Sequence, residues 1–249
     1  MTLPLVSVII PTLNEAATVA SQAATLSRLS ETEIIFVDGG STDGTAAQLE
    51  HLAAQFENVA LCCTAKGRAN QMNCGAARAK GEWLIFLHAD TLLPEDSFAT
   101  FLYEIKKGGV CSGAFTFKVG NPRFIYRYLE FYVAVRAKHL RTPFGDQAIF
   151  VRRNLFEQLG GYRNDFPLME DMELVQRLKR HDGFQILNAP VYTSARRYEA
   201  DGYFKRTCGN LYLQLLYKLG VHPAELAAKY YRQTSRHHIA LPTLINEEV

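Results

Sequence analysis

The chain has 249 residues, 48% of them hydrophobic, which is enough to bury one sizeable core in one large domain. Its 27 basic and 25 acidic residues leave a formal charge of +2, which excludes the strongly positive surface of a general nucleic-acid binder. Five cysteines without CxxC spacing argue against a disulfide framework and a zinc knuckle, so we expect a cytoplasmic protein.

The N-terminal segment MTLPLVSVIIPTLNE has no basic region and only a short apolar run, so we expect no signal peptide. Nowhere does the chain reach the ~18 consecutive apolar residues of a membrane span. We therefore predict a soluble protein, with peripheral contact at the inner membrane face as the alternative.

The first half alternates short, nearly continuous apolar strands with helical segments rich in Ala, Leu and Gln. This order predicts a βαβ series, and hence a mainly parallel sheet covered by helices on both faces. Ligands of such sheets bind beyond the carboxyl ends of the strands, and here all four ends are polar. The predicted strands 5–11, 33–39, 59–65 and 82–90 end near Thr12 and Asn14, Asp38, Lys66, and His88 with Asp90.

A turn follows the second predicted strand, within the segment VDGGSTDGT. Gly39 permits the turn, and Ser41 or Thr42 can cap the next helix. Asp38 can accept hydrogen bonds from a nucleobase or a ribose, although an ordinary strand-to-helix turn has the same composition.

The segment PTLNE at the end of the first strand supplies further groups beside this turn. The chain has neither a Walker loop nor a GxGxxG fingerprint, so an ATPase and a classical dinucleotide-binding protein lose their main support. The ligand-binding residues predicted in this segment are Pro11, Thr12, Asn14 and Glu15.

The second half mixes strand and helix patterns. Near its end, Gly220 ends one predicted helix and Pro223 starts another, and we expect the last dozen residues to be frayed. The patterns predict strands at 113–119 and 147–153, an aromatic and basic segment at 122–144, and a helix at 169–183.

The aromatic and basic segment fits a helix with one apolar face. That face would pack in the core, as such stripes commonly do, or alternatively cover the site or touch lipid headgroups. Its aromatic residues Tyr126, Tyr128, Phe131 and Tyr132 alternate with Arg123, Arg127, Arg136 and Lys138.

Six segments of the chain occur in the same order as in family 2 glycosyltransferases of the GT-A fold. About the first 200 residues therefore resemble these enzymes. The resemblance implies an α/β, Rossmann-like nucleotide-diphospho-sugar transferase fold with C-terminal helices. The His-Ala-Asp-Thr and GRANQMN motifs are similar to those of a small soluble bacterial subfamily associated with radical-SAM and selenium-domain proteins. The six segments are SVIIPTLNE, VDGGSTDGT, GRANQMNCGAARAKGEWLIFLHADTLLP, GDQAIFVRR, GGY and MEDMEL.

The resemblance also implies one GT-A domain over residues 1–235, followed by a tail at 236–249. Within that domain we expect a nucleotide-sugar-binding half at 1–110, an acceptor-binding half at 111–200, and C-terminal helices at 201–235.

Family 2 enzymes usually carry Asp-x-Asp where this chain has His88-Ala89-Asp90. The resemblance implies that Asp90 holds a divalent cation, Mn²⁺ or Mg²⁺, which neutralises the donor's diphosphate, and that Ala89 lies beside the donor. Because Mn²⁺ tolerates an imidazole better than Mg²⁺ does, His88 would ligate Mn²⁺, hydrogen-bond the donor, or simply cap the strand end. Asp90 would alternatively cap the following helix.

Basic residues near the start of the third predicted helix can meet the donor's phosphates or base. We assign Lys66, Arg68 and Asn73 to donor binding, against the alternative of a solvated basic face. Arg196 and Arg197 stand where processive relatives carry Gln-x-x-Arg-Trp. One of them would clamp the diphosphate, while the missing Gln and Trp favour a single transfer.

Glu170 and Asp171 open the predicted helix at 169–183, where family 2 enzymes place a catalytic acid. The resemblance implies that Asp171 deprotonates the acceptor hydroxyl, and that Glu170 binds the acceptor or orients the helix. Acidic residues in a first turn also complement the helix dipole, which is the alternative explanation.

We therefore predict a metal-dependent, inverting glycosyltransferase that moves one sugar from a nucleotide-diphosphate sugar, UDP more than GDP, to a small-molecule or lipid-linked hydroxyl. One alternative is a nucleotide-sugar-binding regulator or partner subunit, which the histidine in the metal motif favours. Another is a sugar-1-phosphate nucleotidyltransferase, which PTLNEAAT disfavours because it lacks glycine. A homo-oligomer is the expected alternative to a monomer.

Overall fold

The computed structural model of the protein describes residues 5–238, with side chains described through residue 230. Strands and helices alternate along the first half of the chain, as the sequence predicts. The strands are β1 Val6–Thr12, β2 Thr32–Asp38, β3 Val59–Cys63, β4 Trp83–Phe86, β5 Thr91–Leu92, β6 Ser112–Val119, β7 Ile149–Arg152 and β8 Phe184–Thr193. The helices are α1 Val19–Leu26, α2 Thr45–Gln55, α3 Arg68–Arg78, α4 Glu95–Lys107, α5 Phe124–Leu140, α6 Arg153–Gln158, α7 Glu170–Leu178, α8 Arg196–Asp201, α9 Tyr203–Lys218 and α10 Pro223–His238.

All eight strands form one sheet in the order β3-β2-β1-β4-β7-β6-β8-β5. The first four are parallel neighbours, and β6 is parallel to β8, so the predicted mainly parallel sheet is confirmed. Strand β7 runs antiparallel to both β4 and β6. Its beginning therefore lies at the same edge as the carboxyl ends of β1 and β4.

Two hydrophobic clusters cover the two faces of the sheet. Trp83 belongs to one of them, and its ring packs edge-to-face against Phe101 with the ring centroids 5.9 Å apart. On the other face α3 lies very close to the sheet, because Gly75 has no side chain. A methyl group there would lie only 2.4 Å from Ile9 Cγ2 and 3.0 Å from Val37 Cγ2. This close packing holds the start of α3 beside the strand ends.

Two predicted helix caps are wrong. Helix α2 begins at Thr45 after Gly44, whose φ of 90° suits a glycine, so neither Ser41 nor Thr42 is its N-cap. Asp90 does not cap α4, because the chain after it forms β5, paired with β8, and α4 begins only after Pro94. The carboxylate of Asp90 is thus left for another role.

Helix α5 does not have the apolar packing that its aromatic stripe predicts. Tyr126 is buried, but Tyr128, Phe131 and Tyr132 are exposed, so core packing is wrong for three of the four aromatic residues. The C-terminal predictions are confirmed, since α9 ends just before Gly220 and α10 begins at Pro223. Most of the tail, including the residues predicted to fray, lies outside the described part of the chain.

None of the helices within residues 5–238 has the length and apolar character that a bilayer span requires.

Candidate active site

A cavity of about 620 Å³ opens at the carboxyl ends of β1, β3 and β4. Its size falls within the usual range of small-molecule sites. The beginning of β7, the loop before α7 and the end of β8 complete its wall, and α9 and α10 close one side. Eleven predicted site residues line it: Pro11, Thr12, Glu15, Lys66, Arg68, His88, Ala89, Asp90, Glu170, Asp171 and Arg197.

The other predicted site residues do not line the cavity; they form hydrogen bonds that hold the surrounding loops in place. The Asp38 carboxylate accepts hydrogen bonds from the backbone N–H groups of Gly40 and Ser41, both at 2.9 Å. Asn14 Oδ1 accepts from the backbone N–H of Thr42 at 2.8 Å, and so ties the loop after β1 to the loop after β2. Outside the lining lie Asn14, Asp38, Gly39, Ser41, Asn73 and Arg196.

Asn73 and Arg196 also hold neighbouring segments in place. Asn73 Nδ2 donates to the carbonyl of Tyr162 at 2.8 Å, and Asn73 Oδ1 accepts from the Tyr162 N–H at 2.9 Å. Arg196 donates to both carboxylate oxygens of Glu15, at 2.9 and 3.1 Å. This fork joins the segment after β8 to the loop after β1.

Gln71 was not predicted as a site residue, although it lies in the quoted GRANQMN motif. The buried side chain donates to the carbonyls of Thr12 and Val37, both at 2.8 Å. A methyl group on Gly39 would lie 2.9 Å from the Gln71 amide, so a side chain at position 39 would displace that amide from its hydrogen bonds. Gln71 therefore covers the ends of β1 and β2 and forms part of the cavity floor. A lone polar residue on the buried face of α3 is the sequence signal that could have identified it.

His88 is an uncharged imidazole in this site. Burial lowers its pKa to about 3, with a further contribution from Arg68, against the opposing charge of Asp90. Burial alone would raise the pKa of Asp90, but the charges of Arg197, Arg196 and Arg68 outweigh it and hold that pKa below its usual value. The nearest cation is Arg197, whose Nε lies 3.5 Å from Asp90 Oδ2.

These two side chains fit a divalent cation only as part of its ligand set. A neutral imidazole beside an ionised carboxylate suits Mn²⁺ better than Mg²⁺, which prefers oxygen. Within residues 5–238, however, no cluster of three or more His, Cys, Asp or Glu side chains could hold a metal ion. Oxygens from elsewhere, such as a diphosphate, would have to complete the coordination.

Arg68 and Glu170 join α3 to α7 across the cavity. Arg68 Nη1 lies 3.1 Å from Glu170 Oε1, and the Glu170 side chain is almost fully buried. Burial raises the pKa of Glu170, and the neighbouring Asp171 raises it further, while Arg68 opposes both. Glu170 is therefore an internal partner of Arg68 and orients the start of α7.

Asp171 lies next to the turn at Gly145–Gln147. Its Oδ2 accepts a hydrogen bond of 2.7 Å from the Gly145 N–H, and its Oδ1 accepts one from the Met172 N–H. A methyl group on Gly145 would lie 2.8 Å from His88 Nε2 and 3.3 Å from Asp171 Oδ2. The proposed metal-side histidine and the proposed base thus both lie close to the point that a side chain at position 145 would occupy.

Asp146 is a second site residue that sequence analysis missed. It lines the cavity, and its buried Oδ1 has no hydrogen-bond partner among the described residues. Burial raises its pKa to about 6; Arg136 opposes this rise, and Asp171 and Asp90 add to it. A carboxyl group of this kind is protonated more readily than an ordinary aspartate.

Two sides of the cavity can now be distinguished. The strand-end side consists of Thr12, Gln71, His88 and Asp90, which the sheet and α3 hold in place. The helical side consists of Arg197 and Tyr198 from α8, and Arg206, Asn210, Leu213 and Gln214 from α9.

Residues 7–162 match the family described as Glycosyl transferase family 2. The chain belongs to this family. The predictions of a glycosyltransferase and of its family are therefore confirmed, and the nucleotidyltransferase alternative is not supported. A curated relative, the PGL/p-HBAD biosynthesis glycosyltransferase of Mycobacterium tuberculosis, is 31% identical over 186 residues, which are 70% of this chain and 69% of the relative.

Solved structures share the fold of this glycosyltransferase. The mannosyltransferase PcManGT from Pyrobaculum calidifontis, in complex with GDP-Man and Mn²⁺, aligns with a TM-score of 0.66 and 23% identity, over 96% of this chain and 71% of that chain. Residues 1–349 of TarS from S. aureus, in complex with UDP, align with a TM-score of 0.62 and 17% identity, over 76% and 60% of the two chains. At these identities the likeness confirms the predicted GT-A fold.

Proposed function

We propose that this family 2 glycosyltransferase moves one sugar from a nucleotide-diphosphate sugar to an acceptor hydroxyl, with a divalent cation and with inversion at the anomeric carbon. The observation that carries this proposal is the convergence on Gly145. His88 approaches it from the strand-end side, and Asp171 approaches it from the start of α7. A donor whose diphosphate lies by His88 and Asp90 would therefore present its anomeric carbon toward Asp171.

Asp90 and His88 would hold the cation, with diphosphate oxygens completing its ligands. When bound, the cation would neutralise charge on the diphosphate as it leaves. Mn²⁺ suits the imidazole, and Arg197, whose Nε lies 3.5 Å from Asp90 Oδ2, would bind a second diphosphate oxygen. Lys66 and Arg68 add positive charge to the same wall of the cavity.

Asp171 is the proposed base. Each of its oxygens accepts one backbone hydrogen bond, which fixes the carboxylate and leaves further lone pairs for a hydroxyl proton. The hydroxyl oxygen forms a bond to the anomeric carbon as the bond from that carbon to the diphosphate oxygen breaks. The proton passes to Asp171, and the nucleoside diphosphate leaves with the bonding electron pair.

The donor is proposed to be a UDP-sugar, with a GDP-sugar as the second choice. Similar folds are known in complex with UDP, with UDP-GlcNAc and with GDP-Man, which supports both bases. The segment after β8 lacks the Gln and Trp of processive relatives, which supports transfer of a single sugar. The radical-SAM and selenium-associated subfamily also remains a proposal that rests on the His-Ala-Asp-Thr motif.

The second candidate function is a nucleotide-sugar-binding regulator. The observation that favours it is that Asp90 and His88 offer only two side-chain ligands for a metal ion, because a protein with weak metal binding would transfer the sugar slowly. Under this alternative UDP would still bind, but no acceptor would yield product.

The test is a screen of nucleotide sugars for release of UDP or GDP, with small metabolites and polyprenyl phosphate as acceptors. Our proposal predicts acceptor-dependent release, loss of release with EDTA, recovery with Mn²⁺, and a product whose anomeric configuration is opposite to that of the donor. A product that retains the configuration would contradict the single displacement. UDP binding without release for any acceptor would favour the regulator.

A further inference from the structure

Two helices expose an unusual amount of apolar surface. Fourteen large hydrophobic side chains are exposed in the described part of the chain; six lie on α5, and five lie on α9 or directly after it. Phe124, Phe131 and Phe204 are 70–72% exposed, more than a scattered surface residue needs. Such a concentration marks an interaction surface.

The spacing of these residues gives each helix one continuous stripe. On α5 the stripe is Phe124, Tyr128, Phe131 and Val135, at steps of four, three and four residues, while the opposite face is buried. On α9 the same steps begin at Phe204. This is the spacing of one helix face. The α9 stripe is Phe204, Cys208, Leu211 and Leu215, with Leu219 just beyond the helix.

The starts of the two helices lie next to each other. The ring of Tyr126 on α5 packs against Tyr203 on α9, with centroids 6.0 Å apart, and Tyr203 contacts Phe204. Tyr126 is on the buried face of α5, so this contact joins the two helices behind the α5 stripe. We call the two stripes together the aromatic surface.

The exposed charges on α5 and α9 are positive, and the acidic residues of the neighbouring α8, Glu199 and Asp201, accept hydrogen bonds from Asn121 and Arg206. Helix α9 contains no acidic residue, and its exposed charges are Lys205 and Lys218. Helix α5 contains one acidic residue, Glu130, which is buried and paired with both Lys118 and Arg127. Further exposed cations at α5 are Arg123, Lys138 and Arg141.

We propose that the aromatic surface binds an anionic lipid bilayer at the headgroup level. Exposed aromatic rings with flanking Lys and Arg side chains are the composition of interfacial helices, and the positive charge complements an anionic leaflet.

Membrane binding through the aromatic surface would also bring the active-site cavity close to the bilayer. The face of α9 opposite its stripe lines the cavity with Arg206, Asn210, Leu213 and Gln214. The helix thus separates the cavity from the bilayer by its own width. This arrangement fits an acceptor that is a lipid-linked hydroxyl at the membrane surface. This assignment of the acceptor rests on the proposed function.

The test is flotation of the full-length protein with vesicles of phosphatidylcholine, alone or mixed with phosphatidylglycerol. The protein is expected to float with the mixed vesicles, less with neutral vesicles, and less as salt rises. The double variant Phe131→Ser/Phe204→Ser should lower the partition coefficient at least about tenfold, because two large apolar side chains no longer leave water. Tyr103→Ser is the matched control, since Tyr103 is 64% exposed but lies on α4.

A second measurement uses the intact surface. Cys208 lies on the α9 stripe, and Cys63 is equally accessible but lies at the end of β3. A polarity-sensitive thiol dye at Cys208, in the Cys63→Ser chain, should shift to the blue with anionic vesicles. The same dye at Cys63, in the Cys208→Ser chain, should not shift.

Three results would overturn the proposal. One is failure of the parent protein to float with anionic vesicles. Another is an equal loss of flotation in Tyr103→Ser. The third is a stable dimer in sedimentation that Phe131→Ser/Phe204→Ser dissociates, because the surface would then bind a second copy of the chain. None of these measurements uses transferase activity, so they fail independently of the proposed function.

Discussion

The strand-end side of the cavity is firmly packed, whereas the helical side is thinly packed. Thr12 and Gln71 are buried and hydrogen-bonded to each other, above a sheet with a hydrophobic cluster on each face. By contrast, α8 buries none of its side chains, and α9 buries only Leu213. Groups that must be fixed in advance therefore lie on the sheet, and groups that can adjust to substrates lie on the helices.

Asp171, at the start of α7, belongs to neither side, and its substitution should have the largest effect on transfer. Asp171→Asn keeps the shape of the side chain but removes the proton acceptor, so we expect transfer to fall by ~10²–10⁴. Initial rates with the acceptor found in the screen would measure this. Asp165→Asn, an exposed change in the loop before α7, is the control and should keep the parent rate.

The Gly145 substitution disturbs the place where His88 and Asp171 come together, without removing any functional group. In Gly145→Ala the new methyl group would lie 2.8 Å from His88 Nε2, so either His88 or the turn must move. We expect transfer to fall by about 10², the typical result of a displacement of ~1 Å at a reacting group.

Gly209→Ala is the matched control for this glycine. Gly209 lies within α9, and apart from the backbone of α9 itself no heavy atom of the described residues lies within 4 Å of the position that a methyl group would take. This change should keep the parent rate and raise the helix stability by up to ~1 kcal/mol. A parent-like rate in Gly145→Ala would show that the convergence of His88 and Asp171 has no catalytic role.

Substitution of Asp146 tests the electrostatics of the cavity, and its expected effect is a change in stability. The pKa of Asp146 is raised to about 6 in the folded state, compared with ~3.9 in the unfolded state. Its contribution to stability is therefore fully present below pH ~3.9 and is lost as the pH rises through about 6. Above pH ~6, Asp146→Asn should therefore be more stable than the parent by on the order of 1–3 kcal/mol. Near pH 4 the two proteins should differ little.

Urea unfolding at a series of pH values would measure this difference. The exposed Asp96→Asn on α4 is the control for the change from Asp to Asn itself. A difference for Asp146→Asn that is constant over this window would contradict the raised pKa.

Much of the strand-end side could be predicted from the sequence. Apolar runs identify β1 to β4, and in a parallel sheet their carboxyl ends must meet, which places Thr12, Lys66, His88 and Asp90 along one edge. The family resemblance adds Asp171. Both inferences need only local patterns and short connections.

The remaining site residues depend on contacts that no local pattern specifies. Asp146 precedes β7, and only the antiparallel direction of that strand brings it to the ligand edge. Arg68 and Glu170 are 102 residues apart in the chain. Asp38 and Asn14 carry the expected chemistry, but the turn residues Ser41 and Thr42 already hydrogen-bond them.

Calorimetry of UDP binding, with and without Mn²⁺, tests most directly whether the strand-end side binds the donor while Asp171 performs the chemistry. We predict that Mn²⁺ strengthens UDP binding by the parent protein by ~1–3 kcal/mol. Asp90→Ala should lose this gain without unfolding, and Asp171→Asn should keep it. Equal UDP affinity of the parent with and without Mn²⁺, or an equal loss in both variants, would contradict this division of roles.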